Sequence, residues 1–412
     1  MTIETARAFD TSTLWAQSTR TDDPPYFHKN PDHIVFDFDQ GTPDRSLFPV
    51  DDLLRISKEI LDREGPRVLD YFDRDYGYKS MFLGWDPLRE QIAEFVGRRD
   101  GRTPSLEEII VVHGSAQGVA LAGRAFLEAG DAVIVEGATF PFALRYFGQA
   151  GGTAFFARVD GEGLDPDSVV EQLKAAKSQG LLPKAIYTIP TGQLPTGTIM
   201  PLERRQRLLE IAAEWNLVVI EDAIYSPFQY EGEKVPSLWS LDREGRVLQS
   251  DAFTKTIAPS MRTGWMLGSK ETILGMATVR QDLGTSMWTA QMLAQYLREG
   301  LLEPHIAESV KLYRQRRDTT ERALREFAGD FLDWSTPKAA FYYWLTLSDR
   351  VDWDDVARGM FDAGIAMRPG EKFLGGGDDG AKHLRMSFAH MNEEGLVDGM
   401  KAFGQVLHGS AR

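Results

Sequence analysis

Lys255 lies in the segment D-A-F-T-K-T-I-A-P-S-M-R-T-G, residues 251–264, between a β-rich run and a proline-containing turn, with Arg262 seven residues later. Most lysines are solvated surface charges. One that is desolvated beside other cations has a lowered pKa and attacks carbonyl carbon. Arg262 offers a planar fork that matches phosphate, so an aldehyde carrying a phosphate would engage both residues. Upstream, Glu221-Asp222 closes the apolar run Leu217-Val218-Val219-Ile220. A carboxylate there either caps the following turn or pairs with a protonated ring nitrogen and preserves an electron sink. Tyr225, three residues on, is placed to hydrogen-bond a phenolic oxygen on the same ring. Gly114-Ser115-Ala116-Gln117-Gly118 follows a strand and opens a helix, where free backbone N–H groups and the positive helix end receive anions. Small residues at such a turn also serve packing alone. Phe140, just after the run 132–136, either stacks on a cofactor face or packs in the core.

The elements that must position these residues are short apolar runs alternating with amphipathic stretches. Strands are expected at 108–112, 132–136, 154–159, 185–189, 217–221 and 246–248, with helices at 116–129 and 203–215 between them. Fully apolar strands separated by helices mark a mostly parallel α/β sheet covered on both faces. Such sheets gather ligand-binding residues at the carboxyl ends of their strands. After about Thr285 the pattern changes: a long helical region to Phe327, an aromatic strand at 341–347, a helix at 356–363 and a strand at 383–388 predict a smaller α+β domain. The expected division is an arm at 1–60 that packs on the small domain, with a helix at 51–63, then a large domain at 61–300 and a small domain at 301–412. Residues 375–380, G-G-G-D-D-G, read as a loop.

Composition narrows the function. The 412 residues are 42% hydrophobic, enough for a large core. A formal charge of −15 argues against nucleic-acid or anionic-membrane surfaces. The absence of cysteine excludes disulfides and thiolate metal sites, and no histidine–carboxylate spacing reads as a metal site. No signal peptide or membrane-spanning run is evident, so a cytoplasmic protein is expected.

Taken together, the order and spacing resemble fold-type I enzymes dependent on pyridoxal 5'-phosphate (PLP), of the class I/II aminotransferase family. The likeness is to aminoadipate-type aminotransferases and the aminotransferase domains of GntR-type regulators. It runs from Phe48-Pro49 through Gly84-Trp85-Asp86-Pro87-Leu88-Arg89, Gly114 to Gly118, Pro195-Thr196-Gly197, Glu221 to Tyr225 and Phe253-Thr254-Lys255 to Leu384-Arg385-Met386-Ser387-Phe388. The resemblance implies that Lys255 forms the Schiff base with PLP and moves the α-proton, that Asp222 binds the pyridine nitrogen, and that Tyr225 binds the phenolic oxygen. It further implies that Phe140 stacks on the ring and that Ser115, Ala116, Thr254 and Arg262 hold the phosphate, with Gln117 in the same turn. Arg385 is the implied clamp for the substrate α-carboxylate, and Gly41 the backbone position lining the substrate site. Tyr78, or Lys79, matches the residue that reaches the phosphate from a second subunit, which implies a homodimer. Amino acids and 2-oxo acids are the implied substrates.

Two positions depart from the family pattern. Leu194 stands before Pro-Thr-Gly, where many members carry an asparagine that donates to the phenolic oxygen. Its loss is expected to raise the pKa of the lysine-bound cofactor. Ala252 stands where a phosphate-binding hydroxyl is usual, with Ser250 nearby but out of register. Both leave the reaction type open between transamination and β-elimination, decarboxylating deamination or oxidative deamination on the same carbanion. A non-catalytic PLP sensor is a further reading. His113 and His383 are expected to be structural, while Trp85, Trp288 and the run 341–344 are unassigned candidates for the pocket wall.

Overall fold

The runs expected as strands are buried because they are apolar on both faces. A computed structural model of the chain describes residues 33–375 and 382–412. The glycine-rich stretch beyond Gly375 and the first 32 residues of the expected arm lie outside the described residues. A seven-stranded sheet is built from Ile109–Val112 (β1), Asp131–Glu136 (β2), Thr153–Ala157 (β3), Leu182–Thr188 (β4), Val218–Asp222 (β5), Val247–Ala252 (β6) and Gly264–Leu267 (β7). Its order is β1-β7-β6-β5-β4-β2-β3. The pairs from β6 to β3 are parallel, whereas β7 is antiparallel to both of its neighbours.

Side-chain alternation feeds two cores. Ile110, Val112, Val133 and Val135 pack into one cluster, while Ile109, Val111, Ala132 and Ile134 pack into the other. That is the period of two that a sheet covered on both faces requires. Helices Asp86–Asp100, Ser115–Phe126, Pro141–Gln149 and Leu202–Trp215 supply part of the cover. The sequence reading missed β7 and ended β6 at 248, four residues early. The polar pattern Gln249-Ser250-Asp251 and the four-residue length of β7 hide both from a periodicity argument. Trp265 on β7 is 1% exposed and packs against Phe253, with ring centroids 4.9 Å apart. Burying one such side chain contributes about 1.5–3 kcal/mol.

A second, antiparallel sheet follows. Leu332–Trp334 (β8), Tyr342–Leu347 (β9), Arg368–Pro369 (β10) and His383–Ser387 (β11) pair in the order β8-β9-β11-β10. The long helix Leu302–Phe327 and the helix Glu393–Gly409 belong to this part of the chain. Phe36–Asp37 pairs in parallel with Ile365–Ala366, and the Ser387 N–H donates to the Phe38 carbonyl at 2.7 Å. These bonds lay residues 36–38 along this part of the chain. Both sheets belong to one unit, Val35–Arg412.

Candidate active site

The carboxyl ends of the parallel strands converge on Lys255. It sits in the short helix Phe253–Thr256 that follows β6. The turn is closed by the Phe253 N–H donating to the Thr263 carbonyl and the Ile257 N–H to the Phe253 carbonyl. Lys255 Nζ donates to the Gly41 carbonyl at 2.6 Å. Desolvation of the amine, joined by the positive charges of Arg385 and Arg262, lowers its pKa from 10.5 to about 8, against the opposing pull of Asp222. A neutral amine is therefore available near physiological pH.

Asp222 ends β5 and is 3% exposed. Its Oδ2 accepts from the Tyr187 hydroxyl at 2.9 Å and its Oδ1 from the Ile224 N–H at 3.3 Å. One oxygen thus acts as the cap that the sequence allows, and the other is oriented by a tyrosine of β4. Burial pushes the carboxyl up to about 6, against the hydrogen bonds from Tyr187 and Ile224 and the charge of Lys255. Tyr225, buried just beyond it, shares a hydrogen bond of 2.7 Å with the Tyr342 hydroxyl of β9. Burial, and then Tyr342, hold its phenol well above its usual pKa.

At the other end of the cleft, β1 runs through Gly114 into the helix Ser115–Phe126. The Gly114 carbonyl accepts from Gln117 and Gly118. The Ser115 and Ala116 N–H groups precede those first intrahelical bonds and point out of the helix start. Gly114 adopts φ 79°, and a side chain there would reach within 3.0 Å of Arg262 Nη2. Arg262 is exposed and donates to the His113 carbonyl at 3.1 Å, which sets its fork beside the helix end. Gly264 makes this approach possible, since a Cβ on it would lie 2.5 Å from the Asp251 carbonyl and 3.0 Å from the Gly114 backbone. Gln117 turns away: Oε1 accepts from the His113 N–H, and Nε2 bonds Asp282. Its side chain is committed away from the anion site, and its backbone N–H to the Gly114 carbonyl. Ser250 Oγ donates to the Ser115 carbonyl at 3.4 Å, so it braces this turn.

The third group of charges surrounds Arg385 on β11. Its Nη2 donates to the carbonyl and to Oδ1 of Asp39, the latter at 3.0 Å. Arg368, its cross-strand neighbour, clamps the same Asp39 with Nε at 2.6 Å and Nη2 at 2.8 Å. The Arg385 guanidinium lies 4.6 Å from the Tyr342 ring centre and 5.3 Å from that of Phe373. Trp344 is opposite Arg385 in register, so it shares this face, and it stacks on His383.

Phe140 caps the helix Pro141–Gln149, beside Thr139, whose N–H donates to the Phe373 carbonyl. Leu194 is 5% exposed, in the loop that Gln193 ties to Glu136 and to the Ala138 carbonyl. Thr254 precedes Lys255 in the same turn and is half-buried. Tyr78 is 71% exposed, against Phe72, while Lys79 pairs with Asp86 at 2.7 Å. Trp85 donates to Asp73 at 3.3 Å, and His113 lies 3.0 Å from the Gly284 carbonyl. The sequence reading missed Asp39, Tyr187 and Tyr342. Only Tyr342 left a trace there, as one of four consecutive aromatics whose inward members alternate.

The groups present fit PLP: a nucleophilic amine, a buried carboxylate for a ring nitrogen, and a guanidinium beside a helix start for a phosphate. Among the described residues no His/Cys/Asp/Glu group is placed to hold a metal, and no helix is long and apolar enough to cross a membrane. The sequence model of the family described as aminotransferase class I and II matches residues 81–403. The aromatic-amino-acid aminotransferase 1 of Thermococcus litoralis is 31% identical over 369 residues, covering 89% of this chain and 86% of that protein. The crystal structure of a multiple substrate aminotransferase from Thermococcus profundus superposes with a TM-score of 0.87 at 26% identity, over 98% of this chain and 99% of that one. An alpha-aminoadipate aminotransferase from Thermus thermophilus, complexed with N-(5'-phosphopyridoxyl)-L-leucine, gives a TM-score of 0.86 at 27% identity, over 97% and 99%.

Proposed function

The chain belongs to the class I and II aminotransferases, enzymes that use PLP to move an amino group from an amino acid to a 2-oxo acid, and we propose that Lys255 is where it holds that cofactor. The observation that carries this reading is the placement of the Lys255 amine, held on the Gly41 carbonyl at 2.6 Å within reach of the charges of Asp222, Arg262 and Arg385. When bound, the cofactor supplies an aldehyde for amines and a ring that takes up the electron pair of a broken α-C–H bond.

The chain's own residues do the rest. Arg262 and the Ser115 and Ala116 N–H groups hold the phosphate, with Thr254 beside them. Asp222 keeps a proton on the pyridine nitrogen, since a desolvated carboxylate is most stable beside a cation. Tyr225 would donate to the phenolic oxygen, with Leu194 standing where a second donor is usual, and Phe140 would stack on the ring. Arg385 receives the substrate α-carboxylate through its fork. Lys255 Nζ would take the substrate α-proton and hold it for transfer. The Gly41 carbonyl, its acceptor in the resting chain, sets where the amine waits.

The aromatic face beside Arg385, made by Tyr342, Trp344 and Phe373, favours amino acids with one carboxylate and a large apolar side chain. That agrees with the substrate class in the name of the Thermococcus litoralis relative. The division into domains at 61–300 and 301–412 keeps each sheet whole, and residues 36–38 go with the second through their backbone bonds. The helix Val50–Glu64, in contrast, buries Ile56 and Ile60 in the core of the first and pairs Arg55 with Glu299, so the arm does not pack on the small domain as far as residue 60. A homodimer is supported by the exposed apolar residues Val50, Leu54, Leu69, Tyr71 and Tyr78, each at least 64% exposed. In that dimer Tyr78, rather than the ion-paired Lys79, reaches a second copy's phosphate site. A screen of aromatic, aliphatic and dicarboxylic amino acids against the PLP-loaded enzyme tests the proposal. Aromatic substrates are expected to convert the cofactor to its amine form and release a 2-oxo acid of matching mass. Conversion by dicarboxylic amino acids alone would contradict the substrate class, and release of ammonia without the amine form would contradict transamination.

A further inference from the structure

Tyr342 has no role in the proposal above beyond its ring, yet its hydroxyl is the best-defined polar contact of Tyr225. The two phenol oxygens are 2.7 Å apart, and the side chains are 4% and 2% exposed for Tyr225 and Tyr342. Residue 41 has to be glycine for this contact to form, because a Cβ there would lie 1.8 Å from the Tyr342 oxygen. The Arg385 guanidinium over the ring and the Tyr225 edge contact, 5.7 Å between centroids, fix the ring. The hydroxyl is therefore aimed, not left to rotate in solvent.

A phenol has one proton to give. If Tyr225 gives its own to the cofactor's phenolic oxygen, the contact of 2.7 Å is kept only with Tyr342 as donor. We propose that Tyr342 is a positioning residue: it donates to the Tyr225 hydroxyl and strengthens the hydrogen bond that Tyr225 gives to the cofactor. It thereby supplies, at one remove, part of what an amide at position 194 would give directly. Leu194 has no donor, so the relay has a deficit to fill. The inference rests on the placement of PLP at Lys255 and Tyr225 proposed above.

Donors in series polarise one another by roughly 10–30% in a site of low dielectric. Applied to a hydrogen bond to a charged oxygen, this becomes roughly 0.2–0.6 of a pH unit in the ionisation of the lysine-bound cofactor. The sign follows from the charge. A better donor stabilises the phenolate, and most of all after the cofactor's imine proton has gone, so the relay lowers the pH at which that proton leaves. Removing the relay raises it.

The test is a pH titration of cofactor absorbance in PLP-loaded parent, Tyr342→Phe, Tyr225→Phe and the double variant, with no substrate added. Tyr342→Phe is expected to raise the midpoint by roughly 0.2–0.6 unit, Tyr225→Phe by more, and the double variant by no more than Tyr225→Phe alone. That last equality separates a relay from a packing role, because a packing effect of Tyr342 would persist without the Tyr225 hydroxyl. A raised midpoint in Tyr225→Phe with the parent value in Tyr342→Phe, or additive shifts in the double variant, overturns the relay and leaves the cofactor placement standing. A parent-like midpoint in Tyr225→Phe overturns both.

Discussion

The lowered pKa of Lys255 has a consequence for how the cofactor-free protein captures PLP. An amine at the usual 10.5 is neutral in about one molecule per thousand at pH 7.5. At about 8 the neutral share is about a quarter, a gain of roughly two hundredfold in the reactive form. The structure assigns signs to the causes. Arg385 is a like charge, so Arg385→Gln relieves repulsion and moves the midpoint up. Asp222 stabilises the ammonium, so Asp222→Asn moves it down. Stopped-flow measurement of PLP capture by parent and variants, from about pH 6 to about pH 10, reads this directly. Comparison at equal pH cancels the ionisations of free PLP. The parent rate is expected to rise and bend near pH 8, with the two variants displaced in opposite directions. A parent rate that climbs tenfold per unit to about pH 10 without bending would refute the electrostatic argument. So would a common direction for both variants.

Further expectations follow from contacts already described. Gly41→Ala places a methyl group 1.8 Å from the Tyr342 oxygen, so Tyr342 or the strand must move. Steady-state kinetics should show kcat down by about a hundredfold with stability lowered by about 1–3 kcal/mol, and unchanged kcat would mean the Gly41 carbonyl and the Tyr342 hydroxyl do not matter. Glu136 is fully buried and accepts from Thr188 Oγ1 at 2.7 Å, Ile189 N at 2.9 Å, Gln193 Nε2 at 2.9 Å and Thr139 Oγ1 at 3.3 Å. An amide would turn a donor onto these donors, so Glu136→Gln is expected to cost about 1–3 kcal/mol in denaturant unfolding at pH 8. Burial raises this carboxyl from 4.5 to about 7, so the folded chain keeps a proton that the unfolded chain has lost across that window. The stability contributed by Glu136 therefore falls as pH rises from about 4.5 to about 7, and the glutamine variant should lack that component.

Much of the site is legible in the sequence because its residues sit at strand ends. Asp222 and the Gly114 turn each follow an apolar run whose length and β-branched composition declare it a strand, whereas Lys255 follows one whose polar second half, Gln249-Ser250-Asp251, leaves only its start legible. The α/β class, the parallel pairs and the switch to a second sheet after 285 are legible for the same reason. What cannot be read are contacts between elements far apart in the chain. Asp39 and Arg385 are separated by 346 positions, and Tyr225 and Tyr342 by 117. No local period links them. The strand Gly264–Leu267 escapes for a different reason, being four residues long and next to a turn. Gln117 shows the converse: its place in the helix start is read correctly, but its side chain belongs to His113 and Asp282.

The central claim is that this aminotransferase binds its cofactor through Lys255. The direct measurement is borohydride reduction of the PLP-loaded enzyme, proteolysis and mass spectrometry of the peptides. The account predicts one pyridoxyl addition, on the peptide containing Phe253-Thr254-Lys255. A pyridoxyl group on a different lysine, or a Lys255→Ala variant that keeps the parent absorbance band, would contradict it.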